Sequence, residues 1–393
     1  MDMRVLFAST RSTGHFAPLV PFAQACRDAG HDVLVAGPPE VAELAYRAAL
    51  AYEPVAAAAP ERLAEVSRMM AGRAGFERIA IATTELFVGS HARAALPDML
   101  DLVEHWRPDV IARETAEVAS LVAAEAHGVP DVRVGIALAT PSEDGWLAMA
   151  SGALDALRAE VGVPCDPCAE RARRAPVLTQ VPMALDEHQG ELPAFVRRYR
   201  VAAPRSAGPP AGWWKDSAAP LVPVSFGTVV PTDGHFPGLY RQVIDALAGV
   251  SARVLVTVGR HADPAELGTL PPNVHVERWV AQASVMPHAA AMVAHGGAGT
   301  TLAALAAGVP LVMLPLSADQ PINARRVAEL GAGLALDGGA AGVGRLAETV
   351  ARVLQEPGYR EAARRIAAEV ATLPSVEEAA ADLTAIAQLQ RAA

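Results

Sequence analysis

AHGGAGTT, residues 294–301, is the stretch of sequence that decides the fold of this chain. The apolar run 289–293 before it is typical of a short buried strand, and residues 302–307 after it predict a helix that ends at Gly308. Glycines let the backbone approach a ligand closely, and a helix start offers unpaired N–H groups at the positive end of its dipole. The stretch therefore predicts a phosphate-binding turn, where His295 can donate a further hydrogen bond. The alternative is a tight turn with an incidental histidine.

The composition predicts large apolar cores and argues against a nucleic-acid partner. A length of 393 residues suggests two or three domains, and 52% hydrophobic against 19% charged residues is enough for sizeable cores. The net charge of −10 disfavours binding to nucleic acid. The three cysteines are too few for a disulfide framework, and the lone CxxC pair, Cys165 and Cys168, disfavours metal or redox use.

The sequence shows neither a signal peptide nor an apolar run of about 20 residues. We therefore expect a cytoplasmic protein without a membrane span.

The N-terminal half alternates strands and helices from its first residues. Residues 4–8 predict a strand, a polar loop with His15 follows, and residues 18–29 predict a helix before a second strand at 32–36. The loop lacks the GxGxxG pattern, which disfavours a nicotinamide or flavin dinucleotide. His15 instead lies at the carboxyl end of the first strand, where open α/β sheets place ligands. The alternative is a histidine that only caps the helix.

Glu114 is a second candidate for that edge of the sheet. It follows a predicted strand at 109–112 and precedes a predicted helix at 116–127. If the sheet is doubly wound, Glu114 and His15 share one edge, and a carboxylate beside an imidazole fixes its tautomer and stabilises the imidazolium. The alternative is a solvated acid in a loop.

The alternation of strands and helices restarts at residue 221. Residues 202–220 before it are rich in Pro, Gly, Ala and Ser and predict a linker. We therefore expect two Rossmann-like α/β domains, at 1–201 and 221–374, with a ligand cleft between them.

Six short motifs resemble those of one enzyme family. They are Gly14-His15 with Pro18 and Pro21, SFGT at 225–228, WVAQ at 279–282, HGGAGT at 295–300, AGVP at 307–310, and Asp319-Gln320. In this order and approximate spacing they resemble an inverting glycosyltransferase of family 1, in the bacterial branch that attaches sugars from nucleotide donors to natural products. The resemblance covers nearly the whole chain, and its motifs are most specific in the C-terminal half. It implies the GT-B fold, in which residues 375–393 form a C-terminal helix that packs back on the N-terminal domain.

The resemblance also implies a donor site in the C-terminal domain. His295 would hold the donor diphosphate together with the N–H groups of Gly299 and Thr300. Trp279 would stack on the nucleobase, and the Val280 backbone would read the base edge. The implied donor residues are Ser225, Gly227, Thr228, Trp279, Val280, Gln282, His295, Gly297, Gly299, Thr300, Asp319 and Gln320. The last two would hydrogen-bond the sugar hydroxyls.

By the same resemblance His15 would be the general base, and Glu114 stands where many relatives place an aspartate that pairs with it. A base with a pKa near neutral suits removal of the acceptor proton, and a single displacement inverts the anomeric carbon. The charge that grows on the diphosphate needs fixed donors, which the helix start and His295 supply. No metal or other cofactor is therefore expected, and the sequence contains no Asp-x-Asp pair.

One departure from the family pattern bears on the donor. Relatives that use UDP-sugars often carry a glutamate three residues after the position of Thr300, where this chain has Ala303 with apolar neighbours at 304–306. Without a carboxylate for the ribose 2′-OH, the sequence favours a dTDP-sugar, most simply a dTDP-deoxysugar of antibiotic biosynthesis, over UDP-glucose.

The acceptor region is expected in the N-terminal half. Residues 62–106, mostly helical, and the less regular segment 140–175 carry methionines and phenylalanines that predict an apolar pocket facing His15. A hydrophobic aglycone such as a polyketide fits such a pocket.

Two other functions stay open. A nucleotide-sugar 2-epimerase of the same fold usually carries acidic residues near the anomeric site, and the Trp-x-x-Gln and Asp-Gln pairs weigh against it. A non-catalytic helper protein is disfavoured because the two histidines and the Asp-Gln pair are all retained. The sequence leaves open the choice of O- or C-glycosylation and whether the chain forms a homodimer.

Overall fold

The computed structural model describes residues 2–73, 75–186, 196–200, 218–228, 230–232 and 234–392. The chain divides into two compact units. Unit 1 comprises Met1–Val181, Asp186–Arg200 and Pro374–Ala393, and unit 2 comprises Pro182–Leu185 and Val201–Leu373. Residues 202–217 of the predicted linker lie outside the described residues.

Unit 1 is built on a parallel sheet, which has seven strands in the described residues. They are β1 (Arg4–Ala8), β2 (Asp32–Gly37), β3 (Ala51–Pro54), β4 (Val110–Glu114), β5 (Asp131–Val134), β6 (Val177–Thr179) and β7 (Val196–Arg198). Their order is β3-β2-β1-β4-β5-β6-β7. Because β1 and β4 are neighbours, with Ala8 opposite Arg113, the winding reverses there. Such a switch point is where open α/β sheets bind ligands, and both His15 and Glu114 lie at its carboxyl edge.

Unit 2 repeats the plan with six parallel strands among the described residues. They are β8 (Leu221–Ser225), β9 (Arg253–Thr257), β10 (Val274–Glu277), β11 (Met292–Ala294), β12 (Leu311–Met313) and β13 (Gly333–Ala335). Their order, β10-β9-β8-β11-β12-β13, is the Rossmann order 3-2-1-4-5-6 when counted within the unit. Valines and leucines fill the strands because both faces of such a sheet are buried. Each unit is thus a Rossmann-like α/β domain, as the sequence predicts.

Helices surround both sheets. The α-helices of the described residues are α1 (Thr13–Phe16), α2 (Val20–Asp28), α3 (Ala42–Arg47), α4 (Pro60–Met70), α5 (Gly75–Ile81), α6 (Arg93–Trp106), α7 (Ala119–His127), α8 (Thr140–Glu160), α9 (Glu170–Arg174), α10 (Gly238–Leu247), α11 (Gln282–Val285), α12 (Ala298–Ala306), α13 (Gln320–Glu329), α14 (Leu346–Gln355), α15 (Pro357–Thr372) and α16 (Ala379–Ala392). Short 3₁₀ segments occur at Pro39–Val41, Pro167–Ala169, Val230–Thr232, Pro264–Leu267, Met286–His288, Gly339–Arg345 and Val376–Glu378. Within the ranges described, no helix is both long and apolar enough to cross a membrane.

The C-terminal helix α16 belongs to unit 1. It packs on α2, and its residues Leu383 and Ile386 are buried. The Tyr199 hydroxyl donates a 2.5 Å hydrogen bond to Asp382 of this helix. The end of the described chain therefore completes the N-terminal unit.

Two local predictions were wrong in the N-terminal half. Segment 140–175 contains the 21-residue helix α8 rather than a less regular unit. Its buried Leu147, Ala150, Leu154 and Leu157 have helical spacing. Gly145 and Gly152 do not break the helix because both are exposed, where glycine costs only about 1 kcal/mol relative to alanine.

The second wrong prediction is the loop around His15, because this residue lies in the single helical turn α1. The residue before that turn, Ser12, has a φ of 100°, a conformation that a sequence pattern does not reveal.

A π-helix interrupts the predicted helical region 62–106. It covers Ala82–Ala92, between α5 and α6. The Ser90 hydroxyl donates to the Glu85 carbonyl, five residues earlier, at 2.6 Å. π-Helices are rare and often occur at functional sites, because the wider turn changes which side chains share a face.

Candidate functional site

His15 and Glu114 meet at the carboxyl edge of the unit 1 sheet. Glu114 ends β4, and the turn α1 places His15 shortly after the neighbouring strand β1. The Nδ1 atom of His15 lies 3.1 Å from Oε1 of Glu114. The Glu114 side chain is fully buried, whereas 21% of the His15 side chain is exposed. The imidazole is therefore anchored on one side and accessible on another.

Three further hydrogen bonds fix the Glu114 carboxylate. Oε1 accepts from the Thr10 N–H at 3.2 Å and from the Thr10 hydroxyl at 2.7 Å, and Oε2 accepts from the Ala116 N–H at 2.6 Å. Burial alone would raise the pKa of Glu114, but the charge and hydrogen bond of His15, with those from Thr10 and Ala116, hold it below its usual value. Glu114 is thus an ionised carboxylate that orients His15. Neither Thr10 nor Ala116 was predicted from the sequence.

An aromatic cluster lies beside His15. The Phe87 ring centroid, on the π-helix, is 5.5 Å from that of His15, 6.3 Å from that of His91 and 5.8 Å from that of Trp146. Burial, reinforced by Arg11 and His15, lowers the pKa of His91 to about 4. His91 is therefore neutral near pH 7. The two segments expected to face His15 do contribute Phe87 and Trp146, whereas His91 was missed because its position depends on the π-helical register.

The glycine-rich turn of unit 2 encloses His295. Strand β11 ends at Ala294, and α12 begins at Ala298 with Gly297 before its first turn. A Cβ atom on Gly297 would lie 2.5 Å from Nε2 of His295, and one on Gly227, after β8, would lie 2.8 Å from it. The imidazole therefore occupies space that only glycine at these two positions leaves open.

His295 is neutral at this turn. Burial lowers its pKa to about 4, although a hydrogen bond with the Ser225 backbone acts in the opposite direction. The first N–H groups of α12, including those of Gly299 and Thr300, have no acceptor within the helix. Ser225 ends β8, and Thr228 is exposed just beyond Gly227. The unpaired N–H groups at the start of α12 are suited to bind an anion, and His295 lies at the same turn.

The WVAQ motif contacts this turn through its glutamine. The Gln282 side-chain amide donates to the Thr300 hydroxyl at 3.3 Å. Val280 packs against a small buried apolar cluster. Trp279 is 52% exposed, and the Arg260 guanidinium lies 4.2 Å from its ring centroid. One face of the predicted base-stacking tryptophan therefore carries an arginine that was not predicted from the sequence.

The Asp-Gln pair has two different environments. Gln320 is buried, and its Oε1 accepts from the N–H groups of residues 316 and 317 at 2.8 and 3.0 Å. Asn323 donates to the Asp319 carboxylate and to the Gly296 carbonyl, each at 2.8 Å. Gln320 thus supports its own loop, while Asn323 ties Asp319 to the glycine-rich turn. Asn323 was missed, although its position four residues after Asp319 on a helix was a usable signal.

Comparisons with known proteins find similar sequences and similar structures. The family described as erythromycin biosynthesis protein CIII-like, N-terminal domain, matches residues 24–153, and its C-terminal-domain counterpart matches residues 241–386. The L-demethylnoviosyl transferase of Streptomyces niveus is 32% identical over 399 residues, which cover 98% of each chain. The elloramycin glycosyltransferase ElmGT of Streptomyces olivaceus is 32% identical over 404 residues, 97% of each chain. The crystal structure of the Streptomyces sp. SF2575 glycosyltransferase SsfS6, complexed with thymidine diphosphate, has a TM-score of 0.76 at 25% identity over 100% of both chains.

Proposed function

Because this chain belongs to the family 1 glycosyltransferases of antibiotic and natural-product biosynthesis, with the GT-B fold, we propose that it transfers a sugar from a nucleoside diphosphate to a hydrophobic aglycone with inversion at the anomeric carbon. The observation that carries the proposal is the 3.1 Å contact between His15 and the buried, ionised Glu114. A partly exposed imidazole that a carboxylate holds in place is suited to act as a general base.

In this reaction His15 takes the proton of the acceptor hydroxyl. The freed oxygen forms a bond to the anomeric carbon as the bond from that carbon to the diphosphate oxygen breaks. The carboxylate of Glu114 stabilises the imidazolium that results. Because the acceptor attacks from the face opposite the leaving group, the configuration of the anomeric carbon inverts.

The leaving diphosphate is stabilised by fixed donors in unit 2. His295 and the first N–H groups of α12 meet the charge that grows on the diphosphate as the bond breaks. We expect Asp319 to bond the sugar hydroxyls, and we expect no metal ion to be required.

The residues of α12, the helix after the glycine-rich turn, favour a thymidine diphosphate donor. Ala303 on α12 is half-buried, and its neighbours Ala304 and Leu305 are fully buried, so this part of the helix presents no carboxylate for a ribose 2′-OH. SsfS6, which is similar over its whole length, has been crystallised with thymidine diphosphate. We therefore propose a dTDP-sugar, in particular a dTDP-deoxysugar.

A flat, apolar acceptor fits the cluster beside His15. Phe87 and Trp146 offer aromatic faces for packing. Neutral His91 can donate or accept a hydrogen bond with a polar group of the aglycone. These features support an aromatic or polyketide aglycone.

The proposal is tested by incubating the protein with a dTDP-sugar, with and without a pool of aromatic and polyketide acceptors, and following products by mass spectrometry. We expect an acceptor heavier by one sugar unit and release of dTDP. A donor that changes configuration at C2 without any acceptor, detected by NMR, would instead identify an epimerase. Binding of dTDP and UDP is compared by calorimetry on one sample, and tighter binding of UDP would overturn the choice of donor.

Replacing Ala303 with glutamate should move the donor preference toward UDP. The new carboxylate would face the ribose from the second turn of α12 and accept a hydrogen bond from its 2′-OH, which a deoxyribose lacks. We expect the UDP/dTDP affinity ratio to rise by about 10-fold, the value of one charge-assisted hydrogen bond. Calorimetry measures the ratio. Ala303→Gln is the matched control, and an equal rise with the glutamine would contradict a role for the charge.

Replacing Glu114 with glutamine should lower the rate and shift its pH dependence. Loss of the negative charge removes what stabilises the imidazolium, so the pKa of His15 falls and the acid limb of the pH–rate profile moves to lower pH. Glu117→Gln is the control, because Glu117 is also buried but accepts hydrogen bonds from Ser120 rather than contacting His15. A limb that moved to higher pH in the Glu114 variant would contradict the assignment.

A further inference from the structure

Arg260 occupies one face of Trp279, the residue predicted to stack on the nucleobase. Its guanidinium carbon is 4.2 Å from the tryptophan ring centroid, which is a cation–π contact. Both side chains are exposed. A contact of this kind in water is weak, so a ligand with a better partner for either side chain can displace it.

The topology places Arg260 between the predicted base and phosphate positions. Strand β9 lies between β10, which leads to Trp279, and β8, which leads to Gly227 and Thr228. Arg260 follows β9 by three residues, directly after Gly259, whose φ of +91° turns the chain there. The side chain accordingly lines two neighbouring grooves. One contains Trp279 and Glu277, and the other contains Thr228.

The phosphate turn itself provides little positive charge. His295 is neutral because burial lowers its pKa to about 4, and the helix N-terminus offers only a partial charge. The described arginines that line the two grooves are Arg260 and Arg278, and Arg278 lies 3.5 Å from the Asp263 carboxylate. Arg260 stacks on an aromatic ring instead, so its charge is the one available to a diphosphate.

We propose that Arg260 is a donor-binding residue that leaves Trp279 when the nucleotide binds and places its charge on the diphosphate. The base then takes the vacated face of Trp279, so the same movement serves both ends of the nucleotide. A guanidinium bonds phosphate oxygens in a fork of two hydrogen bonds, which is stronger than its exposed contact with an aromatic ring. This inference rests on the proposed function, because it requires a nucleoside diphosphate ligand.

Calorimetry with two ligands tests the proposal. Thymidine diphosphate carries the charge, and thymidine carries only the base and sugar. For Arg260→Ala we expect the affinity for thymidine diphosphate to fall by about 10-fold or more, because a charge-assisted contact is lost. Thymidine should bind the variant at least as tightly as it binds the wild type, because the arginine no longer competes for Trp279.

Two further variants sharpen the result. Arg260→Lys keeps the positive charge but cannot form two parallel hydrogen bonds to a phosphate. Its affinity for thymidine diphosphate should therefore lie between that of the wild type and that of Arg260→Ala. Arg278→Ala removes an arginine from the same groove that does not stack on Trp279, and we expect a change of less than about 2-fold, as for an exposed ion pair.

Each contrary outcome has a distinct meaning. An unchanged affinity of Arg260→Ala for thymidine diphosphate would overturn the inference. An equal loss for both ligands would also overturn it, because it would show that Arg260 only supports the tryptophan ring. A wild-type protein that binds no nucleoside diphosphate would instead overturn the proposed function.

Discussion

Replacing His15 with alanine is expected to lower kcat by about 10²–10⁴-fold, the usual contribution of general-base catalysis. The variant loses the imidazole that lies 3.1 Å from the Glu114 carboxylate, so the acceptor proton has no recipient. Nucleotide binding should stay nearly intact, because the predicted donor residues belong to unit 2. Initial rates at saturating substrates and calorimetry with dTDP measure the two effects separately.

His91→Ala is the matched control for this prediction. It removes a histidine from the same aromatic cluster, but one that lies against Phe87 and is already neutral near pH 7. We expect it to raise the KM for the acceptor more than it lowers kcat. A His15→Ala enzyme with full activity on an alcohol acceptor would show that His15 is not the base.

Replacing Gly297 with alanine is expected to lower kcat/KM by about 10²-fold, comparable to removal of one donor from an oxyanion-binding site. The new Cβ atom would lie 2.5 Å from Nε2 of His295, so the imidazole must leave its place. The backbone at Gly297, with φ −63° and ψ 141°, suits any residue, so the fold should persist. Steady-state kinetics with circular dichroism as a folding check measure the result.

A double-mutant cycle identifies the reason for this loss. If alanine at position 297 acts by displacing the imidazole, it should have little further effect in a protein that already carries His295→Ala. The same loss in both backgrounds would mean that the methyl group blocks the ligand directly.

The parts of the structure that the sequence predicted are those that depend on local patterns. Short apolar runs predicted the central strands of both sheets. Such strands are apolar because both faces of a parallel sheet are buried. Glu114 and His15 were predicted to share one edge because parallel strands present their carboxyl ends together. A doubly wound order then brings them to 3.1 Å.

The parts that escaped prediction depend on contacts far apart in sequence or on unusual backbone. The π-helix at Ala82–Ala92 has no compositional signal, yet it sets where Phe87 and His91 point. Arg260 reaches Trp279 only because their strands are neighbours in the sheet. Gln320 stays a predicted sugar-binding residue, but the bonds that its side-chain oxygen accepts from loop N–H groups depend on the path of the loop, which the motif does not reveal.

The return of α16 to unit 1 also bears on how the chain is made. Residues 374–392 emerge from the ribosome only after Val201–Leu373, the main segment of unit 2. At about 5–20 residues per second, synthesis of those roughly 170 residues takes about 10–35 s. The main segment of unit 2 is synthesised without interruption, whereas the surface of α2 that α16 covers stays open to water until residues 374–392 have been made. During that interval the exposed apolar surface of unit 1 favours aggregation, which a chaperone that covers this surface would oppose.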